Sequence, residues 1–478
     1  KKELCNILIE PEFKESNAMN FSNAKELIRI GEEAALKQFD EIKKLADSLN
    51  RVFGVSERKE FKHQLKTYVD FIEIEGLEHV SRNLVLGKLK VKTPDFISLG
   101  ELNTAISRVF GSQFFESVTY KIENTGKGNI LRLRVKEKSN MLYRVGGHYD
   151  SNFDASLLLN ATLRNALIKG SKLTTDLKLG RNPAFETRYL IPTWLRGNKS
   201  GSILLPEWNI GWIPDVELLF SYRDYDIYEY FNGRKTAKFD FINTSAGLSL
   251  RSSVTNTAEV GFGLMNEHTR IKADISYQPE APVIRNSALN LFGYFEYDSY
   301  DKFVYPNTGL RFLSKTEYIK DIDDRQYQDV FRISLRLNKA SPLSDKITFF
   351  TNIYGGYIYG DSIPPDYLFY SGGLVLNDYK TGVFPFTGLN LFELVNKNAL
   401  TIGFDLQYEI FKNQYITLRG NFGKTTAIFK NLFIPEDIYF GYGISYGFRS
   451  FIGPIEFSFM SNNRYRDLIT YVNIGYWF

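Results

Sequence analysis

From residue 139 onward the chain alternates. Leu400, Ile402, Phe404, Leu406, Tyr408 and Ile410 fall on one face of an extended chain, and Thr401, Gly403, Asp405, Gln407 and Glu409 on the other, because successive strand side chains point to opposite sides. Phe331, Ile333, Leu335 and Leu337 alternate in the same way with Arg332, Ser334, Arg336 and Asn338, and Ile416, Leu418, Gly420 and Phe422 with Thr417, Arg419 and Asn421. Candidate strands lie near 142–150, 154–165, 171–180, 184–193, 216–228, 237–251, 256–266, 288–298, 309–319, 328–338, 346–359, 399–411, 414–425, 438–449, 453–461 and 467–478. That makes sixteen, an even number, as a single-chain antiparallel barrel needs. Charged faces recur with no apolar helix or second apolar face to pack on. Lipid outside and a polar lumen inside explain this directly. The pattern predicts a mainly β fold, a 16-stranded antiparallel transmembrane β-barrel over 139–478.

Two other regimes precede it. Residues 1–66 read as helical, with Leu27, Ile28, Ala34, Ala35, Phe39, Ile42, Leu45 and Leu49 at helical spacing from Phe21 on. Ser22 is the candidate N-cap, without a capping box because Lys25 follows it at the critical position. A second, weaker helix is expected over 56–65. Residues 67–138 read as a small α+β module of order β-α-α-β-β: a strand over 68–74, helices over 81–90 and 98–110, and strands over 114–123 and 130–135. Ser98 with Glu101 three residues on forms a capping box.

Composition sharpens this picture. Among 478 residues there are 39 Phe and 30 Tyr, and aromatics reach 15%, as expected of a barrel girdled by aromatics at both membrane interfaces. The net charge of +4 argues against a nucleic-acid binder. One cysteine, Cys5, leaves no internal disulfide and no cysteine-based metal site. No run approaches ~18 apolar residues, so helical membrane spans are excluded. A mean hydropathy of −0.25 is compatible with strands whose alternation hides their apolarity. The N-terminus lacks a signal core and cleavage site, so the chain reads as a processed or truncated product.

Three stretches carry a family resemblance. Ile72-Glu-Ile-Glu-Gly76, Val80-Ser81, Leu102-Asn-Thr-Ala-Ile-Ser-Arg-Val-Phe110, Phe114-Phe-Glu-Ser-Val118 and Leu131-Arg-Leu-Arg-Val135 resemble a POTRA domain, the polypeptide-transport-associated unit. Tyr305-Pro306-Asn-Thr-Gly309, Gly453-Pro454 and the terminal Phe478 resemble the barrel of the outer-membrane assembly-factor superfamily, which includes the barrel-assembly insertase and two-partner secretion transporters. Ile7-Leu-Ile-Glu-Pro11, Phe21 and Glu26-Leu-Ile-Arg-Ile-Gly31-Glu-Glu-Ala-Ala35 resemble the tail of a patatin-like phospholipase. Together they resemble a patatin-type phospholipase autotransporter, class d of type V secretion. The resemblance implies domains at 1–66 (patatin remnant plus linker), 67–138 (POTRA) and 139–478 (barrel). It implies that a longer parent polypeptide hydrolyses phospholipid acyl esters, and that this portion anchors or translocates it. The alternative is an outer-membrane protein transporter or assembly factor of the POTRA-barrel superfamily.

Candidate chemistry is sparse. Gly443-Ile-Ser445-Tyr-Gly447 fits the serine-hydrolase G-x-S-x-G pattern, which needs a sharp strand-to-helix elbow. Here it lies inside an alternating strand, so no catalytic residue is assigned and these residues are expected to be non-enzymatic. His63, His79, His148 and His268 are too scattered for a metal site, and Gly372-Gly373 lacks the Lys-Ser/Thr of a phosphate loop; no metal or cofactor is expected. The long stretch 361–398, followed by five strands, sits where the resembled family inserts a loop into the lumen. Phe386, Thr387 and Gly388 stand as its candidate tip, in place of the family's Arg-Gly-Phe-type sequence. Arg332, Arg336, Asp405, Glu409 and Arg419 are candidates for a lumen charge network, because unpaired charges in a narrow lumen are costly. Tyr476 and Phe478 resemble the aromatic ending of an outer-membrane assembly signal. The expected partners are outer-membrane lipids, the barrel-assembly machinery and a second copy of the chain, with no nucleic acid. The expected location is the bacterial outer membrane, with 1–138 periplasmic because an even strand number returns both barrel ends to one side.

Overall fold

Alternating strands with lipid against one face cannot leave an edge open, so closure into a barrel is the stable solution. The computed structural model describes residues 7–11, 24–54, 66–112, 114–126, 128–192, 214–253, 257–275, 283–323, 327–374 and 382–476. Ser22, the helix expected over 56–65, and Phe478 lie outside the described residues. The chain divides into two compact units, Lys1–Leu65 and Lys66–Phe478.

In the first unit the helical spacing yields two helices, α1 (Ala24–Leu36) and α2 (Phe39–Phe53). They are interrupted at 37–38 rather than continuous. Asp40 and Glu41 occupy the first turn of α2, where acidic side chains favour the helix dipole. The apolar side chains Phe39, Leu49, Val52 and Phe53 are exposed.

The second unit opens with a small α/β segment: β1 (Lys66–Val69), β2 (Phe71–Glu75), α3 (Arg82–Leu89), β3 (Asp95–Ser98), α4 (Leu99–Gly111), β4 (Phe115–Thr125) and β5 (Gly128–Glu137). Its main sheet has the order β2-β5-β4, with β2 parallel and β4 antiparallel to β5. The expected 68–74 strand is divided at Asp70, whose carboxylate accepts from the Asn129 amide at 2.7 Å. A strand not foreseen, β3, pairs with β1. Ser81 caps α3 through the Leu84 amide, and the Ser98–Glu101 capping box starts α4. Leu84, Val85, Leu102, Ala105, Val109, Leu131 and Leu133 fill the core between helices and sheet.

After three linking residues the barrel begins. Its strands are β6 (Met141–Asp150), β7 (Asp154–Arg164), β8 (Lys172–Gly180), β9 (Ala184–Pro192), β10 (Asp215–Phe231), β11 (Arg234–Ser253), β12 (Ala258–Ile275), β13 (Ile284–Asp298), β14 (Gly309–Asp321), β15 (Val330–Pro342) and β16 (Ile347–Tyr359), then β20 (Asn398–Phe411), β21 (Gln414–Thr426), β22 (Tyr439–Ser450), β23 (Gly453–Asn462) and β24 (Ile469–Ile474). β17 (Phe369–Ser371), β18 (Val383–Phe384) and β19 (Leu394–Asn396) form a separate small sheet between β16 and β20. Sixteen antiparallel strands close the barrel, as the alternation predicts. Phe404 and Tyr408 are each 43% exposed while Thr401 and Gln407 are 1% and 4% exposed, which puts the apolar face outward toward lipid.

The wall is uneven. β10, β11 and β12 have 17, 20 and 18 residues, whereas β8 and β9 have 9 each and β24 has 6. β10 and β11 pair from Asp215↔Arg251 to Phe231↔Arg234. Among the described residues β24 pairs with β6 through Asn473↔Asp150 and Ile474↔Tyr149, and the Ser151 amide donates to the Val472 carbonyl beside them at 3.0 Å.

Candidate functional site: the lumen and its inserted segment

Because β6 leaves the α/β segment, every second hairpin lies at the barrel's module end and the others at its far end. The connection between β16 and β20 belongs to the far end, yet it does not stay outside. It runs through a short turn of helix at Pro365–Tyr367 and then the β18-β17-β19 sheet. Phe369, Phe384, Phe386 and Leu389 are fully buried. A segment this apolar needs cover, and the barrel interior supplies it.

The wall is shaped to receive the segment. Phe369 and Phe384 stack with ring centroids 5.3 Å apart, and Tyr354 stacks on Phe384 at 6.0 Å. A Cβ on Gly356 would lie 2.6 Å from the Phe369 ring, and one on Gly441 would lie 1.7 Å from the Thr387 carbonyl oxygen. Only a residue without Cβ permits these approaches. The tip residues Phe386, Thr387 and Gly388 thus lie against β22 and β23, where the Asn462 side-chain amide donates to the Gly388 carbonyl at 2.6 Å. Nearer the rim, Phe392 packs against Phe153, Tyr225 and Tyr370. Lys397 donates to the Gly360 and Asp361 carbonyls, tying the two ends of the segment together.

Polar wall residues hold the segment as well. Asp366 accepts from the Thr269 hydroxyl at 2.9 Å and from the Asn286 amide at 3.2 Å. Arg332 pairs with Glu317 at 2.5 Å, with side chains 1% and 2% exposed, and its guanidinium lies 4.6 Å from the Phe369 ring centroid. Arg336 donates to the Val383 carbonyl at 2.7 Å.

The module half of the lumen is different. Arg419 reaches Glu456 at 2.9 Å, Asp405 at 3.5 Å and the Ser445 hydroxyl at 2.9 Å. Arg419, Asp405 and Glu456 border a cavity of about 290 Å³ between the tip, the 299–308 turn and Tyr476. Tyr305 of that turn stacks on Tyr415 at 4.4 Å. A larger cavity of about 570 Å³ lies along β8–β13, lined by Asp176, Glu186, Arg188, Glu217, Arg251 and Glu259. Arg251 joins Glu217 at 3.0 Å, and Arg223 joins Glu186 at 2.8 Å. Outside the strands, the linker ammonium of Lys138 is pushed below its ordinary value by burial and by Arg164 and Arg144, with Glu116 opposing.

The five lumen charges singled out in the sequence therefore do not make one network. Asp405 and Arg419 meet each other; Arg332 and Arg336 bind the inserted segment. Glu409 accepts from the Asn413 amide at the module-end hairpin at 3.0 Å. Glu317, Glu456 and Asp366 were missed. Glu317 and Glu456 lie on the lumen-facing parity of their strands, a signal that alternation carries. Ser445 sits within β22, its hydroxyl 2.8 Å from that of Ser458. Tyr476 borders the cavity near Arg419. Among the described residues no three His, Cys, Asp or Glu side chains group to hold a metal.

Comparison with known proteins agrees with this architecture. The model of the OMP85 superfamily matches residues 129–478. BamA from Haemophilus ducreyi lacking POTRA domains 1–3 superposes with a TM-score of 0.60 at 13% identity, covering 85% of this chain and 84% of that one. CdiB from Acinetobacter baumannii gives 0.57 at 14% identity, covering 85% and 73%. At these identities the likeness is one of fold. No curated protein sequence matches the chain. A closed barrel of sixteen strands and a family match over most of its length leave one conclusion: the chain belongs to the OMP85 superfamily and is a bacterial outer-membrane protein.

Proposed function

We propose that this chain moves polypeptides into or across the outer membrane, as an assembly or secretion barrel whose α/β segment is a periplasmic POTRA domain. The observation that carries this is the β24–β6 seam. A barrel wall holds by its inter-strand ladder, and among the described residues this junction has the shortest ladder in the wall, two residue pairs. The lumen's far half is filled by the described residues of the β16–β20 connection, 361–374 and 382–397, so the seam and the plug are the two parts that must yield for a chain to pass. The likeness to BamA and CdiB supports this reading over that of a phospholipase anchor, for which only residues 7–35 speak. It carries with it that residues 1–478 hydrolyse no ester, since Ser445 lies inside a strand rather than on an elbow. A fluorophosphonate probe should leave Ser445 unlabelled.

The direct test is a lock. Tyr149→Cys with Ile474→Cys, in a Cys5→Ser background, places two thiols across the seam. Oxidation should stop client transport or insertion in proteoliposomes, and reduction should restore it. A matching pair at Leu218 and Leu248, partners in the β10–β11 ladder, should change nothing. Full activity with the seam locked would overturn the proposal.

A further inference from the structure

At the module end of the lumen the wall carries like charges side by side. Arg164, the last residue of β7, stands directly opposite Lys172, the first of β8. Both share the face of Asn160 and Asp176, which are hydrogen-bonded at 2.6 Å inside the barrel. Arg144 of β6 lies opposite Asn160 and so faces the lumen too. Like charges directly opposite on neighbouring strands are destabilising. Arg164 donates through Nη1 to the Ser139 carbonyl at 2.7 Å, and its Nε is buried with no hydrogen-bond partner among the described residues. Lys138 feels both arginines across the linker. On the other side of the mouth, Lys90 and Arg108 of the α/β segment border a small cavity shared with Lys172, Arg251, Asp215 and Glu259, and Lys88 is already paired with Asp215 at 2.8 Å. Beside them the lumen mixes both signs in close ion pairs, Arg251 with Glu217 at the mouth and Arg223 with Glu186 deeper in. Among the described residues, cations therefore gather on the β6–β8 side of the mouth, while Asp215 and Glu259 lie on its β10–β12 side.

We propose that this mouth docks acidic stretches of an extended polypeptide, with Lys138, Arg144, Arg164 and Lys172 as the receiving cations. The cations are spread over the linker and three strands instead of converging on one point, as bidentate recognition of a single phosphate would require. An extended acidic chain presents its charges at intervals of about 3.3 Å per residue and fits such a row. The zone faces the lumen; the neighbouring pair on the outer face at this level is Leu163 and Leu173, so the cations lie on the side of the wall away from lipid. For the identity of its natural ligand the proposal rests on the transport reading above.

The test uses the full chain in nanodiscs, titrated with a short fluorescent poly-glutamate peptide and, as counterpart, a poly-lysine peptide. Saturable binding of poly-glutamate alone, weakened by salt, is expected. Lys138→Gln with Arg144→Gln should lose about tenfold in affinity, and Arg164→Gln with Lys172→Gln at least as much. The second pair relieves repulsion, so heat-modifiable migration should persist and a folding defect would not mimic the loss. Unchanged affinity in both variants would overturn the proposal. So would displacement of the peptide by inorganic phosphate or by phosphatidylglycerol vesicles at matched charge. The seam-locked protein should bind poly-glutamate undiminished, so failure of docking and failure of transport are read separately.

Discussion

The two halves of the lumen solve opposite problems. The far half is a core: aromatic rings from residues 361–398 meet wall glycines, and its buried charge pair, Arg332 with Glu317, is closed off by a phenylalanine face. The module half holds open cavities in which some charges stay half exposed, as Arg188 does at 49%, beside more buried ones such as Arg419 and Glu456. One wall of alternating strands serves both because the interior residue is chosen row by row. Among the described residues the barrel is thus plugged by packing at one end and by nothing comparable at the other.

That contrast can be broken most sharply at Glu317. Glu317→Gln should cost about 3–5 kcal/mol, since it removes the carboxylate that pairs with buried Arg332 and with Lys315, while adding Arg332→Met should recover part of the loss; urea unfolding in detergent reads both. Phe369→Ala should cost a similar ~3–5 kcal/mol by opening a cavity in the plug, and should raise single-channel conductance. Next comes the lipid face: Phe404→Arg should cost ~2–4 kcal/mol at mid-membrane depth. Gln407→Arg, bordering the open chamber, should cost far less, and equal costs in a refolding titration would refute the inward and outward assignment. Gly441→Val should cost ~1–3 kcal/mol by forcing Thr387 away, while Gly355→Ala, with nothing within 4 Å of its added carbon, should be quiet. Arg188→Gln in the module half should stay below ~1 kcal/mol. A larger loss there would mean that the chamber is packed after all.

How legible this was in the sequence follows from the range of the forces involved. All sixteen barrel strands show in the alternation, because each is judged one face at a time. Their ends show less well: β12 continues past 266 to Ile275 through Glu267, His268, Thr269 and Arg270, where no apolar face marks the strand. β3 was invisible because four residues pair with β1 across a helix. The insert's location could be seen from its length and its Gly and Pro content. Its sheet of two- and three-residue strands could not, since they exist only by packing on the wall. The lumen charges were found as residues but not as partners, because pairing Arg332 with Glu317 requires the β14–β15 register, Glu317↔Arg332, which no local pattern encodes.

The unequal strand lengths have a consequence for the bilayer itself. β24 has 6 residues. At about 3.3 Å per residue and a tilt of about 45°, they rise only about 14 Å, against an apolar band of ~25 Å. Opposite them stand β10 to β12, far longer than any membrane requires. Lipid cannot match both sides with one thickness, so acyl chains beside β24 must shorten or splay. Mismatch costs fractions of a kcal/mol per Å, and it falls where the wall is least stitched. The shape of the described wall alone should therefore make the bilayer thinner next to that edge than beside β10 to β12.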